Sequence, residues 1–157
     1  MTTIREPAVA GMFYPGEAGE LRTMIQAFMD CTPSQPGPAP KALIAPHAGY
    51  VYSGPVAASA YASLYPHRDQ YTRVVLLGPS HRAPVRNLAT SSADVFRTPL
   101  GDVPVDREAI AAVNMQEMAV LEAAHQLEHS LEVHLPFLQV VLGSFTLVPL
   151  VGGDATP

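Results

Sequence analysis

The sequence predicts one α/β domain over residues 1–157, with a mostly parallel sheet and helices on both faces. The composition favours a single folded domain, because 48% of the residues are apolar and only 15% are charged. Strand-like and helix-like segments also alternate along most of the chain. An alternation of strands and helices is typical of a parallel sheet with crossover helices.

The first predicted element is an amphipathic helix, which is followed by a proline-rich loop. Within residues 20–30, four apolar side chains recur at the i, i+3, i+4 and i+7 positions of one helical face. They are Leu21, Met24, Ile25 and Phe28. Residues 31–40 hold four prolines and a glycine, so we expect a surface loop inside the domain.

Two strands and a helix are predicted next. The apolar run at 41–46 is bounded by prolines, which favours a short strand buried on both faces. Residues 53–65 predict a helix, because Ser53 is a good N-cap and Pro55 falls in the first turn, where its missing N–H costs little. Residues 71–81 contain a second strand, in which four apolar residues precede Gly-Pro-Ser-His.

The following segment predicts a hairpin and a short helix. Residues 88–106 alternate in polarity and contain a Leu-Gly-Asp turn signal, which indicates an antiparallel hairpin. Residues 106–113 then predict a helix that Asp106 caps, with an acidic residue in its first turn.

The last elements are a helical segment and a strand. Residues 129–143 have a helical composition, and Pro136 either kinks this helix or starts a second segment. Residues 145–153 form another apolar run that ends in a glycine turn, which predicts a buried strand.

Charge and cysteine content exclude several classes of partner. The formal net charge is −5 and lysines and arginines form no run, so we expect no nucleic-acid or membrane partner. No apolar run reaches the roughly 18–20 residues of a membrane span. The single cysteine, Cys31, excludes an internal disulfide framework, which favours a cytoplasmic location.

Two predicted strands end in histidine. His47 follows the first strand and His81 follows the second. Because ligands bind beyond the carboxyl ends of parallel strands, neighbouring strands would bring both imidazoles to one edge of the sheet. There the pair would bind a metal ion or transfer protons. The alternative is that each histidine is a hydrogen-bonded residue at a strand end.

A third histidine-bearing segment runs from residue 125 to residue 138. On a continuous helix, His125, His129 and Glu132 would share a face and could form a proton relay. His129 and His134 would point about 140° apart, so they would not form a helical zinc motif. The alternative is an ordinary polar helix face.

Five stretches together carry a family resemblance. They are "EPAVAGMFYPG" (6–16), "IAPHAGYVYSGPVAASAY" (44–61), "VVLLGPSH" (74–81), "FRTPLGDVPVD" (96–106) and "EHSLEVHLPFLQ" (128–139). In this order, they resemble the Memo family, known in prokaryotes as the B component of the AmmeMemoRadiSam system.

This resemblance implies an α/β fold similar to that of the class III extradiol dioxygenases, and a metal site for Fe(II) or copper. By the same resemblance, His47 and His81 match metal ligands, whereas the segment around Glu132 matches a stretch that lines the site. We therefore assign catalytic roles to His129, Glu132 and Tyr50, and site-lining roles to Gly49, Tyr52, Ser80 and His134.

The resemblance also implies that part of the site is missing. Family members continue well beyond this length and carry a cysteine near the third ligand position. We therefore expect an incomplete domain, either a fragment or a reduced form that completes its sheet by self-association.

Two functions remain open at this point. The first is a metal-dependent oxidoreductase similar to the dioxygenases, with a functional link to AMMECR1-type and radical SAM proteins. The second is a non-catalytic binding or scaffold module, inactive in this form, whose cleft holds a small molecule or a peptide.

Overall fold

The computed structural model describes residues 1–33, 37–113 and 118–154. The helices are α1 (Ala18–Asp30), α2 (Tyr50–Tyr61), α3 (Arg107–Ala112) and α4 (Leu135–Leu142). The strands are β1 (Ile4–Arg5), β2 (Arg73–Pro79), β3 (Leu88–Thr90), β4 (Val95–Thr98), β5 (Gly101–Pro104), β6 (Met118–Val120) and β7 (Thr146–Gly152). Short 3₁₀ turns cover Tyr65–Gln70, Glu122–Ala124 and Glu132–His134.

The strands form two mixed sheets. The larger sheet has the order β2-β7-β3-β6, and the smaller sheet has the order β1-β4-β5. The pairs β2–β7, β3–β6 and β1–β4 are parallel, whereas β3–β7 and β4–β5 are antiparallel. The predicted α/β class is confirmed. Three of the five strand pairings are parallel, but both sheets are mixed, in part because the tight connection from β4 to β5 permits only antiparallel pairing.

A layer of three helices covers one side of the molecule. The predicted amphipathic helix is present as α1, and its Leu21 and Ile25 are fully buried in the core that α2 and α4 also line. Helices α1 and α2 approach closely at Gly54, where a Cβ atom would come within 2.2 Å of the Phe28 ring. The small residue at this position therefore permits the contact between the two helices.

The second face of the larger sheet is less covered. Along β2, Val74 and Leu76 pack against the core, whereas Val75 and Leu77 are 59% and 66% exposed. The expectation of helices on both faces is thus not met at β2 in the part of the chain that the structure describes. The self-association predicted from the sequence stays a prediction, and these exposed side chains are consistent with it.

The strand predicted at 41–46 is absent, which corrects the sequence interpretation. The segment pairs with no strand among the described residues, and Ile44 is 99% exposed. It nevertheless runs beside β2. The Pro40 carbonyl accepts a bond from Tyr71 Oη just before β2, and His47 lies against His81 just after it. Prolines at both ends of the segment remove N–H donors that a ladder needs, which accounts for an extended run without strand pairing.

Other boundaries also differ from the predictions. Helix α2 begins at Tyr50 rather than at Ser53, because Gly49 occupies the N-cap position and its carbonyl accepts a bond from the Ser53 N–H. The predicted hairpin is narrower and consists of β4 and β5, whereas β3 belongs to the other sheet. Asp106 caps α3 as predicted, since its Oδ1 accepts a bond from the Ala109 N–H at 2.8 Å.

The segment 129–143 is not one continuous helix. A 3₁₀ turn precedes α4, and Pro136 lies in the first turn of that helix, so the second of the two alternatives for this proline is confirmed. The strand predicted at 145–153 is present as β7. Among residues 1–33, 37–113 and 118–154, none of the helices combines the length and the apolar character that crossing a bilayer demands.

Candidate metal centre

Three histidines from distant parts of the chain meet at one place. His47 follows the extended run beside β2, His81 follows the end of β2, and His129 precedes the Glu132–His134 turn. Ring nitrogens of all three lie within 4.8 Å of one another. The pair predicted from the strand ends is thus brought together, and the structure adds His129 as a third imidazole.

The three rings pack against one another, although the His81 side chain is still 38% exposed. The centroids of His81 and His129 are 4.6 Å apart with an interplanar angle of 22°, and the His47 centroid is 5.3 Å from that of His81. The Phe13 ring also packs on His129, with centroids 4.8 Å apart and an interplanar angle of 56°. This packing limits the rotation of His129 and shields part of the cluster from water.

Burial keeps two of these histidines neutral. Burial and the neighbouring His81 lower the pKa of His47. Burial also lowers the pKa of His129, and the nearby Glu128 carboxylate opposes that shift only in part. A neutral imidazole is the form that binds a metal ion. His47 and His129 can therefore bind an ion at neutral pH without first losing a proton.

Glu128 is a site residue that the sequence reasoning missed. Its side chain is 2% exposed, and Oε1 accepts a bond from His81 Nδ1 at 2.9 Å. The backbone N–H groups of His81, His129 and Ser130 also donate to this carboxylate. Burial alone would raise the pKa of Glu128, but these donors outweigh it and lower the pKa to about 2. Its position directly before His129 was the available signal.

The donor set of the cluster fits a transition-metal ion. Three imidazoles suit zinc, copper, iron or nickel. In the part of the chain that the structure describes, Nδ1 of His129 is buried and has no hydrogen-bond partner. It lies 3.4 Å from Glu128 Oε1. A buried nitrogen without a partner is costly, and it is consistent with a site whose bonding is completed by a ligand.

A cleft opens beside the cluster. It has a volume of about 630 Å³ and is lined by Met12, Phe13, Pro46, His47, Ala48, Gly49, Tyr52 and His129. Gly49 and Tyr52 were predicted to line the site and do line this cleft. Most of its walls are apolar, while two histidines of the cluster supply polar atoms, an arrangement typical of small-molecule sites.

Glu132 is turned away from the cluster into a buried network. Its side chain is fully buried, and it accepts bonds from the Arg5 guanidinium and from Tyr14 Oη. The backbone N–H groups of Ala8 and Val9 donate to the same carboxylate at 2.8 and 2.9 Å. Burial, followed by the Glu132 charge, raises the pKa of Tyr14. The catalytic role assigned to Glu132 stays a prediction that these contacts do not support.

Two other predicted site residues also bond elsewhere. Tyr50 is 2% exposed, and its hydroxyl donates to the Val133 carbonyl at 2.7 Å. Burial raises its pKa, so the phenol stays neutral. Ser80 donates through Oγ to the Ala83 carbonyl at 2.5 Å. Neither of these bonds reaches the three histidines. The catalytic role of Tyr50 and the lining role of Ser80 therefore stay predictions.

His125 is buried and His134 is half-buried, and neither belongs to the cluster of three histidines. His134 Nδ1 lies 2.7 Å from Tyr61 Oη, and burial lowers its pKa to about 4. His125 lies 3.2 Å through Nε2 from the Ala89 carbonyl, and burial lowers its pKa as well. The shared helix face proposed for His125, His129 and Glu132 does not exist, because residues 125–131 form irregular turns.

Comparisons with known proteins all point to the same family. A family model described as Memo-like protein matches residues 5–156. A MEMO1 family protein of Thermotoga neapolitana is 40% identical over 98% of this chain and 60% of its own length. MEMO1 family proteins of Ignicoccus hospitalis and Methanopyrus kandleri are 41% and 43% identical, over 98% and 93% of this chain. The chain spans 55–60% of the length of these three relatives.

The buried Glu132 network predicts a large effect on stability. Glu132→Gln leaves the Arg5 guanidinium buried without its counter-charge, so we expect the free energy of unfolding to fall by about 3–5 kcal/mol. Asp102→Asn is the matched control, because it removes a carboxylate that pairs with Arg97 at the surface and should cost no more than about 1 kcal/mol. Urea unfolding followed by circular dichroism measures both. Equal, small losses would contradict the structural role of Glu132.

The half-buried His134 predicts a stability that decreases as the pH is lowered. Its pKa is about 4 in the folded chain, against an ordinary 6.5 when unfolded. The unfolded state thus binds more protons between these values, and the contribution of His134 is complete above pH 6.5 and is lost as the pH falls towards 4. From pH 7 to pH 5 this loss is on the order of 2 kcal/mol.

His134→Asn should reduce this pH dependence, since asparagine can still accept the Tyr61 hydroxyl bond but does not titrate. His67→Asn, in the exposed Tyr65–Gln70 turn, is the control. Urea unfolding of the three proteins at pH 7 and pH 5 gives the comparison. The same pH dependence in wild type and His134→Asn would refute the assignment.

Proposed function

This chain belongs to the Memo-like protein family, and on that premise we propose that it binds a transition-metal ion through His47, His81 and His129. We propose further that the bound ion serves an oxidoreductase reaction on a small molecule held in the adjoining cleft. The observation that carries the proposal is the meeting of three imidazoles, two of which also line a cleft of about 630 Å³.

The metal would be iron or copper, and imidazole ligation is compatible with either. Such an ion supplies redox chemistry with O₂ and Lewis acidity towards a bound oxygen atom. The three histidines would hold it, and they would leave coordination positions for the substrate. Similarity to the extradiol dioxygenases in fold and reaction is part of this proposal.

The residues around the three histidines determine which kind of ligand the cleft can hold. Phe13 packs on the His129 ring and, with Met12 and Pro46, forms an apolar wall that excludes water from one side of the cleft. Tyr52 is 86% exposed at the cleft, so its hydroxyl is available to a ligand there. The cleft therefore suits a small molecule with an apolar body and one polar group that reaches the histidines.

A second candidate function is a non-catalytic binding module. Because the chain spans 55–60% of three of its relatives, the activity of a whole family member is itself a proposal here. In this second function, the cleft would hold a small molecule or peptide, and the histidines would only contact that ligand. A link to AMMECR1-type and radical SAM proteins is likewise a proposal that rests on the family.

Metal binding tests the first function directly. We expect one Zn²⁺ or Co²⁺ ion per chain, and at least a roughly tenfold loss of affinity, about 1.4 kcal/mol, in each of His47→Ala, His81→Ala and His129→Ala. His67→Ala is the control, because His67 lies in the Tyr65–Gln70 turn and bonds the Gly37 carbonyl. Isothermal titration calorimetry gives the affinities, and elemental analysis gives the stoichiometry.

The double variant His47→Ala/His81→Ala is the sharpest form of this experiment. Undiminished metal content in the double variant would remove the proposed site. No binding of Zn²⁺ or Co²⁺ by wild type would instead favour the binding module, in which the histidines contact the ligand without a metal ion.

A further inference from the structure

One buried carboxylate joins two of the three histidines. Glu128 accepts two bonds from His81, one from the backbone N–H at 2.6 Å and one from the ring Nδ1 at 2.9 Å. The same carboxylate accepts a bond from the backbone N–H of His129 at 2.8 Å. The side chains of Glu128 and His81 come from positions 47 residues apart, so this contact fixes two distant segments against each other.

The carboxylate itself is held in a single orientation. Oε2 accepts from the His81 backbone, while Oε1 accepts from the backbones of His129 and Ser130 as well as from the His81 ring. With its side chain 2% exposed, Glu128 has little contact with water. Rotation would break several charge-assisted bonds at once, so the oxygen that faces the His81 ring stays in place.

The arrangement determines which nitrogen of His81 is available. An ionised carboxylate accepts and never donates, so a hydrogen bond to Glu128 requires the proton of neutral His81 to sit on Nδ1. The other ring nitrogen, Nε2, is then an acceptor with a free lone pair. Ligating histidines commonly direct their second nitrogen at a carboxylate in this way, which fixes both the tautomer and the ring orientation.

We propose that Glu128 is the positioning residue of the metal centre: it holds the proton of His81 on Nδ1, leaves Nε2 for the ion, and fixes His129 beside it through the backbone. The inference rests on the proposed metal-binding function, which it deepens by naming the residue that prepares the ligands. Glu128 touches neither substrate nor metal in this account and acts through His81 and His129.

Burial of a carboxylate in this chain does not by itself bring it to a histidine, as Glu132 shows. Glu132 is an equally buried carboxylate, four residues later, and its partners are Arg5, Tyr14 and two backbone N–H groups. None of its hydrogen bonds involves an imidazole among the described residues. Glu128, by contrast, aims an oxygen at one imidazole and lies 3.4 Å from Nδ1 of a second.

The first test uses the metal-free wild-type chain. Long-range ¹H–¹⁵N correlation spectra of the histidine side chains, recorded at pH 8, report which ring nitrogen carries the proton. We expect His81 in the Nδ1–H form. A His81 ring in the Nε2–H form would overturn the proposal, and this result does not depend on whether the chain binds any metal.

The second test removes the acceptor. We expect Glu128→Ala to weaken Zn²⁺ binding by about 10–100-fold and to shift the His81 proton away from Nδ1. Glu128→Gln keeps an acceptor oxygen facing the ring, so it should retain the tautomer and lie between wild type and Glu128→Ala in affinity. Glu122→Ala is the control, because Glu122 accepts bonds from Ser91 and Ser92 and contacts no histidine ring of the cluster.

The outcomes separate the two proposals. Unchanged Zn²⁺ affinity and tautomer in Glu128→Ala would overturn the role of Glu128 and leave the metal site standing. No Zn²⁺ binding by wild type would overturn the metal site, while the tautomer still decides the role of Glu128. If Glu128→Ala fails to fold, the wild-type and Glu128→Gln spectra decide the question.

Discussion

The buried ion pair between Arg5 and Glu132 is the contact on which the site depends. Beyond Glu132, the Arg5 guanidinium donates to the carbonyls of His125 and Glu128, so one side chain binds three points of a segment that has little regular structure. Glu132 in turn accepts from the backbone of Ala8 and Val9. The first residues of the chain and the irregular segment 125–134 are therefore folded as one unit, and His129 is held inside it.

Two buried carboxylates four residues apart face in different directions from this unit. Glu132 anchors it to the N-terminal segment, and Glu128 anchors it to the turn after β2 that carries His81. Buried charges carry a large desolvation cost, and a buried ion pair often stabilises a fold no more than an apolar substitute of the same shape would. The main effect of these hydrogen bonds is thus to fix the positions of the segments that they join, rather than to stabilise the fold more than apolar side chains would. These hydrogen bonds determine where His81 and His129 lie relative to each other.

Part of this arrangement could be predicted from the sequence. Local patterns were sufficient for α1, for the capped start of α3 and for β7, because each depends on periodicity or on a capping residue. His47 and His81 also meet, although the run before His47 pairs with no strand among the described residues. The contribution of His129 and Glu128 was not predictable in the same way. Residues 129–143 have a helical composition, but Arg5, 120 or more positions away, binds the carbonyls of His125 and Glu128 and holds the start of this segment in an irregular path. Tertiary contacts of this range override local propensity.

The most direct measurement of the central claim is the position of a bound ion. Crystals of the chain grown with Co²⁺ would give an anomalous difference map at the cobalt edge. We expect one strong peak among His47, His81 and His129, with the Glu128–His81 bond intact. The ring nitrogens, which lie within 4.8 Å of one another without an ion, should close in to about 2.0–2.2 Å from the cobalt. A map with no peak at this cluster, or with its strongest peak at other residues, would contradict the account.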